Sequence, residues 1–312
     1  MSAPRILAAH LWDNYSGSPR VFAQALTALA EERADIQLFT SDTEGFLNAG
    51  PWTRRVVPYR WVASRWGRLG RYLWSQLYLM VAVWRARKGA DLVYVNTLLP
   101  FGAALAGKLA GLRVVYHLHE THVEPASLHG LLTGVVRRCA DEVAYVSDYL
   151  ARVLPFPGVP ARIIPNALPA EYVSPGERLP ALYRFEGLMV ASLKAEKGLP
   201  AFAQLATDLP DLHFTLIVGA GAAELEAFWR DLPRPGNLTL LPAQKRVKAY
   251  YQRAHLLLNL SDPERLPETF GMTILEGMAC GLPAIVPPTG GPAELVREGV
   301  EGYQVDSRDR AA

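Results

Sequence analysis

Short apolar runs that read as buried strands recur along this chain, and most are followed by a turn and a segment of helical period. In the first half the strand candidates are residues 5–11, 36–40, 56–59, 91–96, 114–119, 142–146 and 162–166. Helical segments are expected at 20–30, about 67–87, 101–110, through 135–140, and from Ser147-Asp148 to Leu154. Parallel strands need long crossover connections, and apolar strands of this kind are covered on both faces. The alternation therefore predicts parallel sheets between helices. A stretch rich in proline and charge, 167–186, has no sustained period and is expected to link two halves. The pattern then restarts, with strands at 187–192, 213–218, 238–241, 256–260, 284–286 and 303–305. Helices are expected at 246–253, 272–280 and from Glu294 to about Glu298. The expected domains are 1–166 and 187–312, consistent with a length of 312 residues.

Composition narrows the class. Half the residues are apolar and a fifth charged, which suits a globular chain with a sizeable core. A net charge of +2 is too small to imply a nucleic-acid partner. The two cysteines, Cys139 and Cys280, lie in apolar helical contexts, which argues against a disulfide framework and suits a reducing cytoplasm. Residues 6–11 are too short for a signal peptide, and the longest uncharged apolar run, 72–84, has 13 residues, too few to span a bilayer.

The stretch from Glu268 to Glu294 carries most of the chemistry. Glu268 and Glu276 are separated by seven residues; Phe270-Gly271 follows the first, and a helical run from Met272 carries the second. Gly281-Leu282-Pro283 stops that run, and Thr289-Gly290-Gly291 turns into a further helix. Helix starts offer unpaired N–H groups and positive dipole density, which suit phosphate. Carboxylates repel phosphate but accept hydrogen bonds from hydroxyls. A ligand with a polyanionic middle and a polyol at each end fits both, and a nucleotide-sugar is one.

This stretch resembles the Glu-x7-Glu region of the retaining family 4 glycosyltransferases. The resemblance implies the GT-B fold, two Rossmann-like domains with parallel sheets facing across a cleft, and covers nearly the whole chain, most strongly from Gly187 to Gly302. It implies that Glu268 holds donor-sugar hydroxyls, that Phe270 and the backbone of Gly271, Met272, Thr273 and Ile274 contact sugar and diphosphate, and that Glu276 binds the ribose. The Gly-Gly loop of the family falls at Ser16-Gly17, so Gly17 alone is carried over as a donor contact. Lys197 matches the family's phosphate-binding lysine; the accompanying arginine position holds Ser192, with Lys194 in reach as a substitute. Gly290 and Gly291 are further phosphate-binding candidates. Gly219 is expected to allow close approach of the donor, and the nucleotide base to pack near Val247. His119-Glu120 matches a His-Asp pair, which makes His119, with Glu268, a candidate catalytic residue. The family's later C-terminal helices have no counterpart before the short polar tail at 306–312.

Competing motifs are weak. His119-Glu120-Thr121-His122 lacks one residue for the zinc-protease pattern, and no Asp-x-Asp occurs, so no metal or other cofactor is expected beyond the nucleotide-sugar substrate. Gly219-Ala220-Gly221 begins a dinucleotide fingerprint, but its third position is Glu224, which disfavours NAD. A second feature stands apart from the motif. From Gly45 to Ala90 there is no acidic residue, while nine arginines and lysines and Trp52, Trp61, Trp66, Trp74 and Trp84 fall within it. Such a stretch, 52–88, suits an anionic membrane surface, a core helix with solvated arginines at its ends, or, least well, nucleic-acid stacking. The expected activity is transfer of a sugar from a UDP- or GDP-linked donor to a glycan or lipid-linked acceptor, in cell-envelope polysaccharide synthesis at the inner face of the membrane. A sugar phosphorylase on the same fold and a non-catalytic membrane-associated partner subunit are the alternatives.

Overall fold

A computed structural model describes residues 3–60, 62–168, 172 and 178–309. Trp61, positions 169–171 and 173–177 of the expected link, and residues 310–312 of the tail lie outside the described residues. The chain divides into two compact units, Met1–Ala167 and Leu168–Ala312.

The first unit runs β1 (Arg5–Ala9), α1 (Gly17–Glu31), β2 (Asp35–Ser41), β3 (Thr53–Val57), α2 (Arg65–Ala86), β4 (Leu92–Asn96), α3 (Phe101–Leu109), β5 (Arg113–Leu118), α4 (Ala126–Cys139), β6 (Glu142–Tyr145), α5 (Asp148–Val153) and β7 (Ala161–Ile163). All seven strands are parallel, in the order β3-β2-β1-β4-β5-β6-β7. The order reverses direction between β1 and β4. Phe22 and Leu26 of α1 pack with Ile6, Ala8, Ile36 and Leu38 of the sheet, all buried. Each of the larger side chains among them contributes about 1.5–3 kcal/mol of transfer free energy. The strand at 56–59 is displaced to Thr53–Val57, because Pro58 has no N–H for a ladder. Ser147 caps α5 as expected, its hydroxyl accepting from Leu150 N–H at 3.1 Å.

Helix α2 buries one face against α3. A Cβ on Gly102 of α3 would lie 2.1 Å from the Gln76 carbonyl, and Gln76 Oε1 accepts from Gly102 N–H at 3.0 Å. Tyr72, Ser75, Leu79 and Val83 complete the inner face. Its outer face carries large exposed apolar side chains, among them Trp66 at 78% and Trp74 at 60% exposure.

The second unit runs β8 (Glu186–Ala191), a 3₁₀ turn (Ala195–Lys197), α6 (Leu199–Asp208), β9 (His213–Val218), α7 (Ala222–Trp229), β10 (Leu238–Leu241), α8 (Lys248–Tyr251), β11 (Leu256–Leu258), α9 (Met272–Ala279), β12 (Ala284–Val286), α10 (Pro292–Leu295) and β13 (Gly302–Gln304). Its six strands are parallel, in the order β10-β9-β8-β11-β12-β13, with the reversal between β8 and β11. Both units are thus α/β and Rossmann-like, as the alternation predicts. The last helix differs from its expected place: α10 is one turn that starts at Pro292, whose ring pre-sets the first helical φ, and ends where Val296 becomes extended. Part of the expected link packs on this unit. Tyr172 is buried beside Tyr251, Arg178 donates to the Ala254 carbonyl at 2.6 Å, and Leu179 N–H to the Gln252 carbonyl at 3.1 Å.

Candidate functional site

Open parallel sheets bind ligands beyond the carboxyl ends of their strands, where the strand order reverses. In the second unit that point lies between β8 and β11, and the loops leaving these two strands meet there. Lys197 comes from the first and Glu268 from the second, and their charged groups are 2.8 Å apart. Glu268 Oε1 also accepts from Asn259 Nδ2 at 2.9 Å and from Ser261 Oγ at 3.0 Å. The two loops are locked by short backbone contacts. Gly198 adopts φ +84°, and a Cβ there would meet the Leu260 carbonyl at 2.1 Å; Asp262 N–H donates to the Glu196 carbonyl at 2.8 Å. Burial works to raise the Glu268 pKa, but the Lys197 charge and the three hydrogen bonds outweigh it and hold the carboxyl below its ordinary value. Glu268 is therefore an anion with Oε1 occupied, and among the described residues Oε2 accepts no hydrogen bond. Lys197 has three N–H donors and uses one on Glu268.

Immediately after Glu268 the chain enters α9. Gly271 takes φ +102° as the residue before the helix, a conformation open to glycine alone at low cost. Among the described residues the N–H groups of Gly271, Met272 and Thr273 have no intramolecular acceptor. Ile274, expected with them, differs: its N–H donates to the Gly271 carbonyl at 3.1 Å, and its side chain is fully buried. Phe270 is also buried, at the edge of the loop. Glu276, on the second turn of α9, is buried and accepts from Tyr251 Oη at 3.0 Å.

The glycine pair before α10, expected at a phosphate contact, sits against the Glu268 loop. Gly291 N–H donates to the Glu268 carbonyl at 2.8 Å. A Cβ on Gly290 would lie 2.5 Å from that same carbonyl, and one on Gly291 2.3 Å from Phe270 Cα. The pair lets two backbones touch and so props the Glu268 loop from behind. A four-residue helix adds little dipole to such an amide. Lys194 sits at the start of the 3₁₀ turn with its side chain exposed. Gly219 donates its N–H to the Ala191 carbonyl at 3.0 Å, and a Cβ there would meet no protein atom within 4 Å. Val247 precedes α8 and packs its side chain on the core.

The first unit gathers polar groups at its own reversal point, between β1 and β4. His10 follows β1, Asn96 ends β4 and His119 follows β5. A chain of hydrogen bonds joins them: His10 Nε2 to the Trp12 carbonyl at 2.9 Å, Asn96 Nδ2 to His10 Nδ1 at 2.9 Å, and His119 Nε2 to Asn96 Oδ1 at 2.8 Å. Each carbonyl needs an N–H, so His10 and His119 both carry their proton on Nε2 and His119 Nδ1 is a free lone pair. Burial holds the His10 pKa down to about 4, and burial, with His117 and His10 nearby, holds that of His119 well below its usual value. Asn96 Nδ2 also reaches the Ser18 carbonyl at 3.3 Å, tying the start of α1 to the group. Gly17 opens that helix, and a Cβ there would meet no protein atom within 4 Å. Glu120 turns inward, accepting from Leu98 N–H at 2.6 Å; the loop reaches it through Thr97, held at φ +70°. Among the described residues no three His, Cys, Asp or Glu side chains converge as a metal site.

The sequence singles out Lys197, Glu268 and His119, which lie in these two polar clusters, but not their partners Asn259, Ser261, His10 and Asn96. The available signal was polar residues closing otherwise apolar strands, at Leu256-Leu-Leu-Asn-Leu-Ser261 and Leu92-Val-Tyr-Val-Asn96.

Comparison with known proteins bears on this arrangement. Residues 184–312 match the family model described as Glycosyl transferases group 1, and residues 15–172 that described as Glycosyltransferase Family 4. Among solved structures, the chain resembles Anabaena HepE in complex with UDP and glucose, at 20% identity and TM-score 0.71, over 97% of this chain and 87% of that one. It resembles sucrose-phosphate synthase of Thermosynechococcus elongatus at 18% identity and TM-score 0.76, over 98% and 86% of the two chains. These likenesses establish the GT-B fold. A short segment is 51% identical to sucrose synthase 2 of Hordeum vulgare over 39 residues, which is 12% of this chain and 5% of that protein. A 47-residue segment is 49% identical to sucrose synthase 1 of Zea mays, 14% of this chain and 6% of that protein.

Proposed function

This chain belongs to the glycosyltransferases, its first unit to Glycosyltransferase Family 4 and its second to Glycosyl transferases group 1, and from that premise we propose that it moves a sugar from a nucleoside-diphosphate donor held by the second unit. The observation that carries this reading is the Lys197–Glu268 pair at the strand reversal, beside three unpaired amides. The chemistry of transfer concentrates negative charge on the leaving diphosphate. Lys197, with two N–H groups to spare, and the amides of Gly271, Met272 and Thr273 are fixed donors for that charge before the bond breaks. Glu268 offers Oε2 to sugar hydroxyls and holds the ring for attack. Glu276 takes the ribose hydroxyls, one helical turn beyond the amides. Glu268 acts as an anchor and not as a nucleophile, since three donors, one of them the Lys197 cation, draw on its Oε1. Configuration at the anomeric carbon is retained, in keeping with the family resemblance.

UDP is the favoured nucleotide, on the strength of HepE structures holding UDP and UDP-glucose. In the first unit, His119 presents Nδ1 as the acceptor-side base or hydrogen-bond acceptor. The acceptor is a glycan or lipid-linked sugar of the cell envelope, and the basic, Trp-rich stretch 52–88 meets the anionic inner face of a membrane. The test is to incubate the protein with a panel of UDP-, GDP- and ADP-sugars and follow release of the nucleotide diphosphate and the anomer of the sugar by NMR. Slow hydrolysis or transfer from a UDP-sugar with an unchanged anomer is expected. Turnover of sugar 1-phosphate without nucleotide would mark a phosphorylase, and no turnover at all a partner subunit.

A further inference from the structure

Apart from the Arg87 guanidinium, 4.0 Å from the centre of the Trp84 ring, the apolar stripe on the outer face of α2 is open, and its side chains are of an unusual kind. Trp66, Leu69, Leu73, Leu77, Val81 and Trp84 are all exposed and follow one another at intervals of three or four. That spacing puts them in one stripe along a helix of 22 residues, about 33 Å long. Water-facing helices carry polar residues there, and a stripe of this length is a contact surface. No helix of the described residues is long and apolar enough to cross a membrane.

Beside the stripe lies a groove of 360 Å³ between α2 and the β2–β3 edge of the sheet, to which Tyr78, Val81, Arg85, Arg55 and Arg5 contribute. Arg5 is engaged with the Lys88 carbonyl and with Asp35, the latter at 3.5 Å. Arg55 and Arg85 are exposed, and neither has a hydrogen-bond or carboxylate partner among the described residues. Two cations face a groove whose rim is the apolar stripe. No acidic residue occurs from 45 to 90 to repel an anion or to draw a basic protein.

We propose that this face docks on an anionic lipid bilayer, with α2 lying in the interface plane, the stripe among the acyl chains and a lipid phosphate in the groove between Arg55 and Arg85. The charge decides the occupant. An apolar stripe alone would suit a second copy or another helix, but unpaired arginines on its flank require anionic groups beside apolar ones, as a headgroup layer provides. Tryptophans at both ends of the stripe sit where their amphipathic rings favour the headgroup level. The inference deepens the membrane reading of 52–88 and does not depend on the transfer reaction.

The experiment is flotation of the full chain with vesicles of phosphatidylcholine alone or mixed with phosphatidylglycerol, at low salt. The protein is expected to float with the mixed vesicles and to be released by salt. Leu73→Glu with Leu77→Glu is expected to abolish flotation, and both sites are exposed, so the fold survives; circular dichroism checks that. Arg55→Gln with Arg85→Gln is expected to cut affinity for the mixed vesicles by roughly thirty-fold, the factor two cation–headgroup contacts supply, while UDP-sugar binding stays unchanged in both pairs. Equal binding to neutral vesicles, or flotation that neither pair reduces, would overturn the proposal. So would a wild-type dimer in sedimentation that ignores vesicles and that Leu73→Glu with Leu77→Glu makes monomeric, since the occupant would then be a second copy.

Discussion

Lys197 and Glu268 are 71 positions apart in the chain and 2.8 Å apart in the fold. Their loops leave β8 and β11, which are neighbours in the sheet although two strands and three helices separate them in sequence. The parallel topology thus builds an ion pair where the strand order of the second unit reverses. Both side chains are less than a fifth exposed, so each charge depends on the other.

Lys197→Ala leaves Glu268 enclosed and short of its cation. Breaking a buried pair from one side costs about 3–5 kcal/mol. Urea denaturation is expected to show a loss near the lower end, because the pair retains some solvent access. Lys197→Ala combined with Glu268→Gln is expected to lose clearly less than the sum of the two single changes. Additive losses would mean that the two groups do not interact.

Glycines at close backbone approaches differ from those in open positions. Gly198→Ala forces a Cβ against the Leu260 carbonyl at a positive φ, and Gly291→Ala forces one against Phe270 Cα. Both are expected to lower the melting temperature by several degrees, as losses of about 2 kcal/mol or more do in a domain of this size. Gly17→Ala meets nothing, so it is expected to melt like the parent.

The histidines of the first unit give a pH signature. Burial pushes His10 and His117 from 6.5 down to about 4 and His119 well below its usual range. In the unfolded chain all three take up protons near 6.5, while in the folded chain they resist. Below 6.5 the unfolded state therefore binds more protons, and stability falls as pH falls, until His10 and His117 protonate near 4. Each histidine contributes at most about 1.4 kcal/mol per pH unit in that window. Glu120, raised by burial, works in the opposite sense nearer the carboxylate range. Melting is expected to drop measurably between pH 7 and pH 5; an unchanged or higher midpoint at pH 5 would contradict the neutral cluster.

Asn96 sets the proton on His119. Asn96→Ala removes the only carbonyl oxygen that takes a bond from His119 Nε2 among the described residues. Nitrogen-15 NMR of the imidazole is expected to show one tautomer in the parent and a mixture in the variant. UDP-sugar binding by the second unit should be unaffected.

What was legible in the sequence was whatever a local period or spacing encodes. Alternating apolar runs gave the parallel sheets, and Glu268, Phe270, Gly271 and Glu276 stood in one continuous stretch. Their loop neighbours did not. Asn259 and Ser261 look like the end of a strand, and only the folding back of the segment between β11 and α9 brings Glu268 to them. His10, Asn96 and His119 form one chain of bonds across 86 and 23 positions, which no window contains. Gly290-Gly291 carries two meanings that sequence alone does not separate: glycines before a helix suggest open amides, and close approach of two backbones demands glycine just as strongly. The single turn of α10 could not be foreseen either, because its end at Val296 follows from burial of that side chain in the core.

The most direct measurement is calorimetric titration with UDP and with a UDP-sugar, on the parent, Lys197→Ala, Glu268→Gln and Glu276→Ala. The parent is expected to bind both ligands. Lys197→Ala should weaken both by about tenfold or more, the loss of one charged hydrogen bond to phosphate. Glu276→Ala should weaken both, through the ribose, and Glu268→Gln should remove only the extra affinity for the sugar-bearing ligand. A parent that binds no UDP, GDP or ADP compound, or variants that bind as tightly as the parent, would contradict a donor site built on Lys197 and Glu268.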